Sequence, residues 1–279
     1  GLRYRNAFTS HDKERYTKYL DDVAVGKKKI NASTLYPYDI VKKMLSSCGV
    51  KSQSDDEIKA LDAMWNNLPN YLEDKPHRGL VVCDTSGSMY GGGGVAPIEV
   101  SISLAMYIAE RNDDPTFGNA FLTFSSHPQL QRIVKGNIYE KVTALSHADW
   151  GYNTNLQAVF DVILQTAKNK NLGNDNLPEK LYIISDMEFD EACARDEDTN
   201  YSVIKKKFEA EGFKCPELVF WNVNAENIQL PITKDDSGVC MVSGCSPAIL
   251  TAILSGKEID PIQVMLDAID IDRYSSVVV

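Results

Sequence analysis

The chain has 279 residues, 43% hydrophobic and 24% charged, with a formal net charge of −10. That length buries a sizeable core without disulfide staples, and no apolar run reaches the ~18 residues of a membrane-spanning helix. The acidic balance argues against a broad nucleic-acid footprint, which needs a basic surface.

Charge is uneven, however. Basic residues slightly outnumber acidic ones through residue 78, and acidic residues dominate from 79 onward, so a phosphate backbone is a conceivable partner only for the first part. Gly1–Asp12 is polar and basic, so we expect no signal peptide. Gly1 in place of Met leads us to expect a fragment of a longer protein.

Residues 1–78 have the patterning of a helical segment. Tyr16, Tyr19, Leu20 and Val23 recur at helical spacing within Arg15–Val25, and a second helix is predicted over Tyr38–Leu45 after Pro37. Asp55, Asp56 and Glu57 open a third helix through Ile58, Leu61, Met64 and Trp65, since acids favour a helix N-terminus. Pro69 and Pro76 follow.

From Gly79 the pattern changes. Gly79–Cys83 and Lys180–Ser185 are continuous apolar runs, the mark of strands buried on both faces of a parallel sheet. Further strands are predicted over Asn119–Phe124, Leu130–Val134, Glu217–Val223 and Val239–Val242. Helices are predicted over Ile98–Glu110, Leu156–Ala167, Tyr201–Glu211, Pro247–Leu254 and Pro261–Ile269. This alternation predicts an α/β fold with a doubly wound, mostly parallel sheet over residues 79–279, preceded by the helical segment 1–78. Ligands of such sheets bind beyond the carboxyl ends of the strands.

Polar oxygen donors cluster at those ends. Asp84, Ser86 and Ser88 follow the first buried strand, Tyr152-Asn153-Thr154-Asn155 precedes the helix at Leu156, and Asp186 follows the strand at Leu181. Oxygen donors without His or Cys suit a hard cation such as Mg²⁺, with Mn²⁺ or Ca²⁺ as alternatives. Gly87 lets the loop fold back tightly.

Asp-x-Ser-x-Ser after a strand, Thr before a helix and Asp ending a later strand together resemble the metal-ion-dependent adhesion site of von Willebrand A domains. The resemblance implies Ser86 and Ser88 as direct ligands, Thr154 as a direct or water-mediated one, and Asp84 and Asp186 acting mainly through bound water. It also implies an open position that takes a partner's carboxylate. The usual Gly before the Thr is Asn153 here, and the glycine run Gly91–Gly94 follows the loop closely. The stretches "FTSHDKERYTKYL", "GKKKINA" and "LYPYDIV" within Phe8–Leu45 resemble the segment preceding the A domain in an uncharacterised family of plants, bacteria and large viruses. That family is more distantly similar to the Ro autoantigen, which implies an RNA-binding helical portion, most of it upstream of Gly1.

Other signals are weaker. No G-x-S-x-G elbow surrounds Ser86, position 86 is not the second Asp that an aspartyl phosphatase needs, and no Gly-Lys-Ser/Thr follows Gly91–Gly94. His11, His77, His127 and His147 are expected in surface, capping or loop roles, although His147 and Trp150 stand close before Thr154. Lys27-Lys28-Lys29 is expected to be a solvated face. The acid-rich stretch Asp186–Asp198 is compatible with a further cation or with repulsion of anions. Cys48, Cys83, Cys193, Cys215, Cys240 and Cys245 form no CxxC pair, as expected for reduced thiols of a cytoplasmic protein.

The expected function is therefore a non-enzymatic, Mg²⁺-binding interaction module that recruits a partner protein's Asp or Glu. The alternative is a component of a Ro-like protein that meets RNA through the helical part or upstream residues. A Mg²⁺-dependent hydrolase is a lesser alternative, and no membrane partner is expected.

Overall fold

The computed structural model describes residues 4–32, 35–46, 49–72, 78–91, 95–124, 127–148, 156–186, 200–224, 239–244 and 247–254, together with Ile262, Leu266 and Ile269. Strands β3 (Gly79–Cys83) and β6 (Lys180–Ser185) lie side by side, parallel, at the middle of a six-stranded sheet. Beyond β3 come β4 (Ala120–Thr123), parallel, and β5 (Leu130–Arg132), an antiparallel edge. Beyond β6 come β7 (Glu217–Asn222) and β8 (Val239–Ser243), both parallel. The order β5-β4-β3-β6-β7-β8 makes the β3/β6 boundary the point where the winding reverses.

Both faces of the sheet are covered. Side chains alternate along a strand, so Leu80 and Val82 of β3 enter one core while Val81 and Cys83 enter the other. The first core includes Leu181, Ile183 and Phe220 under α6 (Leu156–Asn169) and α7 (Asn200–Ala210). The second includes Tyr182, Ile184 and Trp221 under α4 (Pro97–Ala109) and α8 (Pro247–Leu254). Burying one such aliphatic or aromatic side chain is worth roughly 1.5–3 kcal/mol, which is why these runs are apolar on both faces.

The helical segment shares the second core. Helices α1 (Arg5–Ala24), α2 (Pro37–Val41) and α3 (Asp55–Asn66) precede the sheet. Ile40, Val41, Leu61, Met64 and Trp65 belong to the same buried cluster as α4 and the sheet. The Trp65 indole N–H donates to Glu110 Oε2 at 2.7 Å, and Lys141 holds the other oxygen of that carboxylate at 2.7 Å. The Tyr107 hydroxyl donates to the Pro69 carbonyl at 2.6 Å and accepts the Tyr71 N–H at 3.0 Å.

Three elements differ from expectation. Helix α1 begins ten residues earlier than predicted, with a break at Asp12. The helix expected through Leu45 ends at Val41, and β1 (Leu45–Ser46) then pairs antiparallel with β2 (Gly49–Val50). Gly49, at φ +105°, permits that tight reversal. An unpredicted helix, α5 (Ile138–Ser146), is closed by a reciprocal cap: Glu140 N–H donates to Asn137 Oδ1 at 3.0 Å, and Asn137 N–H donates to Glu140 Oε2 at 2.9 Å. Of the helix expected over Pro261–Ile269, Ile262, Leu266 and Ile269 are helical and exposed, and the rest lies outside the described residues. Among the described residues no helix is long and apolar enough to cross a membrane.

Candidate metal centre

The β3/β6 boundary delivers its polar residues to one edge of the sheet. The ladder runs to Cys83↔Ile184, and the Asp84 N–H extends it by donating to the Ile184 carbonyl at 3.1 Å. Asp84 thus leaves β3 beside Ser185, whose hydroxyl donates to Asp84 Oδ2 at 2.6 Å. The other oxygen, Oδ1, accepts the Ser86 N–H at 2.9 Å, an Asx-type turn that starts the loop. A 3₁₀ turn over Gly87–Tyr90 then brings Ser88 back to Ser86, with their hydroxyl oxygens 3.0 Å apart.

Asp84 and Asp186 are both buried. Desolvation holds the Asp84 carboxyl above its ordinary pKa, the bonds from Ser185 and Ser86 oppose this, and the charge of Asp186 raises it further. Two buried carboxylates that feel one another are an arrangement that a divalent cation relieves. The serine spacing also fits: neighbouring oxygens of a regular Mg²⁺ octahedron, with ligands at ~2.0–2.1 Å, stand roughly 2.9 Å apart. The donors are hydroxyl and carboxylate oxygens, suited to a hard cation. Among the described residues no three His, Cys, Asp or Glu side chains converge on one point, so any ion here depends on the serines as well as the acids.

Four of the five expected ligands therefore stand at the ends of β3 and β6. Thr154 lies outside the described residues, as do its neighbours Tyr152, Asn153 and Asn155, Trp150, Gly92–Gly94, residues 187–198, His77, Cys48, Cys193 and Cys245. His147 closes α5, its Nδ1 lying 2.8 Å from the Thr143 carbonyl, which is a capping role. Cys83, Cys215 and Cys240 carry no disulfide. Burial pushes the Cys83 thiol up to about 12, which leaves it inert.

Three residues of the site escaped sequence reasoning. Ser185 anchors Asp84, and its signal was a hydroxyl directly before Asp186 at the end of an apolar strand. Fully buried Ser101 donates to the Asp84 carbonyl at 2.9 Å and stands 3.2 Å from Cys83 Sγ, tying α4 to the base of the loop. Its signal was a hydroxyl, with that of Ser103, in an otherwise mostly apolar helix. Thr85 buries a hydroxyl with no hydrogen-bond partner among the described residues.

Comparison with known proteins gives the chain's family and its fold. A family model described as "Domain of unknown function (DUF7788)" matches residues 78–273, well over half the chain. The chain belongs to the DUF7788 family. A second model, "Domain of unknown function (DUF2828)", matches residues 2–77, so the DUF7788 portion carries the whole six-stranded sheet and the candidate centre. Uncharacterized protein L728 of Acanthamoeba polyphaga mimivirus is 31% identical over 258 residues, covering 91% of this chain and 43% of that protein. The crystal structure of the Deinococcus radiodurans Ro (RSR) protein superposes with a TM-score of 0.53 at 16% identity, covering 89% of this chain and 49% of that one. The SpRpn10 VWA domain aligns with a TM-score of 0.40 at 12% identity, over 67% of this chain and all of that domain. The chain spans just under half the length of the mimivirus and Deinococcus proteins. The fold is α/β with a doubly wound, mostly parallel sheet, as the strand and helix pattern led us to expect, and it is distantly similar to that of the Deinococcus Ro protein.

Proposed function

We propose that this chain is a non-enzymatic interaction module built on a divalent-metal site. The observation that carries the reading is the pair of serine hydroxyls, 3.0 Å apart, beside two buried carboxylates at the winding reversal. Ser86 and Ser88 would hold Mg²⁺ directly, Asp84 and Asp186 would supply the compensating charge, and Thr154 would complete the set from the loop before α6. Mn²⁺ and Ca²⁺ suit the same donors. The bound ion would supply a Lewis-acid position for an external oxygen anion. With neutral hydroxyls as its direct ligands it stays net positive, so an Asp or Glu of a partner protein is the matching ligand. Ser86 and Ser88 bond to one another, the posture of shared ligands rather than of an activated nucleophile. We place the protein in the cytoplasm, where its cysteines stay reduced.

The test is titration calorimetry of metal-stripped protein with Mg²⁺ and Mn²⁺, beside a Ser86→Ala/Ser88→Ala double variant. Saturable binding in the wild type that disappears in the variant supports the site. A wild type that gives no heat with either ion ends the metal-dependent reading.

A second reading, a Ro-like protein whose helical part contacts RNA, is favoured by the extent of the Deinococcus superposition. At 89% of the chain it must extend into residues 1–78. It forecasts RNA binding that weakens steeply with salt.

A further inference from the structure

Helix α1 is interrupted at Asp12, whose φ of −159° and ψ of 80° are not helical. The Asp12 carboxylate restarts the helix by accepting the Arg15 N–H at 3.0 Å. Around this break, between α1, the Lys28–Asn31 segment and Met64 of α3, lies a cavity of about 700 Å³. That is within the range of small-molecule sites, ~300–1,000 Å³.

Aromatic rings and cationic groups line it, beside the Asp12 carboxylate and His11. The Phe8 and Tyr16 rings stack, with centroids 5.8 Å apart and planes at 16°, and Phe8 remains 49% exposed. Tyr19 adds a third ring, with the Lys28 ammonium 5.8 Å from its centroid. Arg15 lines the same space, is exposed, and makes no ion pair among the described residues. Lys28 shares Asp22 at 3.3 Å, a surface pair that solvent screens.

Aromatic walls alone would suit any apolar ligand, and cations alone would suit any anion. Their combination selects a molecule with a flat π face joined to an anionic group. An aromatic ring tolerates any base that stacks on it, and a guanidinium holds phosphate oxygens through paired donors. We propose that this cavity binds a nucleoside phosphate, its base stacked against the Phe8–Tyr16 ring pair and its phosphate held by Arg15 and Lys28. The Asp12 carboxylate, exposed on the same wall, accepts a hydrogen bond from the amino or imino edge of the base. This site uses none of the candidate metal ligands and stands without the metal reading.

The test titrates the full 279-residue chain in EDTA-containing buffer with AMP, GMP, CMP and UMP. Adenosine and a ten-nucleotide single-stranded RNA form separate arms. Phe8→Ala and Arg15→Gln are the site variants, both at exposed positions, and unchanged melting shows that each still folds. Saturable mononucleotide binding, weakened about tenfold or more by each variant, is the expected result. Binding of the RNA strand alone, with the same loss in both variants, also supports the site and shows that its ligand is met within a polymer. Adenosine binding as tightly as AMP removes the phosphate from the proposal and overturns it. So does binding that both variants leave untouched, or no binding by any ligand. The Ser86→Ala/Ser88→Ala protein binds nucleotide like the wild type, so failure of the metal reading is separable from failure of this one.

Discussion

Replacing Asp84 with Asn separates what the carboxylate costs from what it does. In the metal-free chain its folded pKa stands above the ordinary Asp value, chiefly through desolvation. The folded chain therefore holds that proton more tightly than the unfolded chain. Stability falls as pH rises from the unfolded to the folded pKa, and the deficit is complete above both. Asn carries no charge to desolvate, keeps an oxygen for the Ser86 N–H and turns its amide toward Ser185, whose hydroxyl can rotate to accept. Metal-free Asp84→Asn should thus melt at or above the wild-type temperature at neutral pH. Addition of Mg²⁺ should reverse the ranking. An ion at 100 times its Kd stabilises the folded state by ~2.7 kcal/mol. With an unfolding entropy of ~2.1 cal/mol/K per residue, a chain this long gains roughly 4–5 °C. The variant should gain nothing. Thermal unfolding by circular dichroism, with EDTA and with Mg²⁺, reads both numbers. A variant that keeps the Mg²⁺ gain would remove Asp84 from the site. A metal-free variant melting more than about 3 °C below wild type would show that the bonds from Ser185 and Ser86 outweigh desolvation.

Other perturbations test the frame around the site. Tyr107→Phe deletes the hydroxyl that serves both the Pro69 carbonyl and the Tyr71 N–H. It should cost about 2 kcal/mol, seen as a lower urea midpoint at unchanged slope. Gly118→Ala would set a Cβ 2.4 Å from the backbone carbonyl oxygens of Asn112 and Asp114. Main chain cannot step aside as a side chain can, so the loss should be ~2–3 kcal/mol or more, visible as reduced soluble yield and an earlier melt. Residues 79–279 expressed without the helical segment should bind a hydrophobic dye and lack a cooperative melt, because the cover over α4 is gone; a sharp transition with a well-dispersed NMR spectrum would refute this.

Much of the sheet was legible because β3 and β6 are continuous apolar runs, a pattern few other environments require. The ends of those strands were legible for the same reason: an Asp after four or five buried apolar residues can only stand at the sheet's edge. Helix α5 was missed although Asn137 and Glu140 spell its cap and Ile138, Val142 and Leu145 its buried face. Its charged residues, Glu140 and Lys141, fall between those signals. The β1–β2 hairpin was hidden because Met44 and Leu45 continue the helical spacing of α2 while the backbone turns at Gly49. Ser101 and Ser185 could not be assigned from sequence, since their partners are a backbone carbonyl and a carboxylate reached only once α4 and β6 lie beside β3.

Helix α4 shows why the helical segment and the sheet are one structure although separate family models divide them at residue 77. A helix on the outer face of a doubly wound sheet ordinarily keeps a polar face toward water. All thirteen residues of α4 are buried, so a second layer must cover its far side. That layer is α2 and α3, with Trp65 bonded to Glu110 just past the end of α4 and Tyr107 bonded into the segment after α3. The opposite side of α4 carries Ser101, which holds the carbonyl of Asp84. One apolar helix therefore joins the helical segment to the base of the candidate metal loop. The polar groups that α4 does carry are bonded within the structure: Glu99 accepts the Ala96 N–H, and the hydroxyls of Ser101, Ser103 and Tyr107 donate to backbone carbonyls.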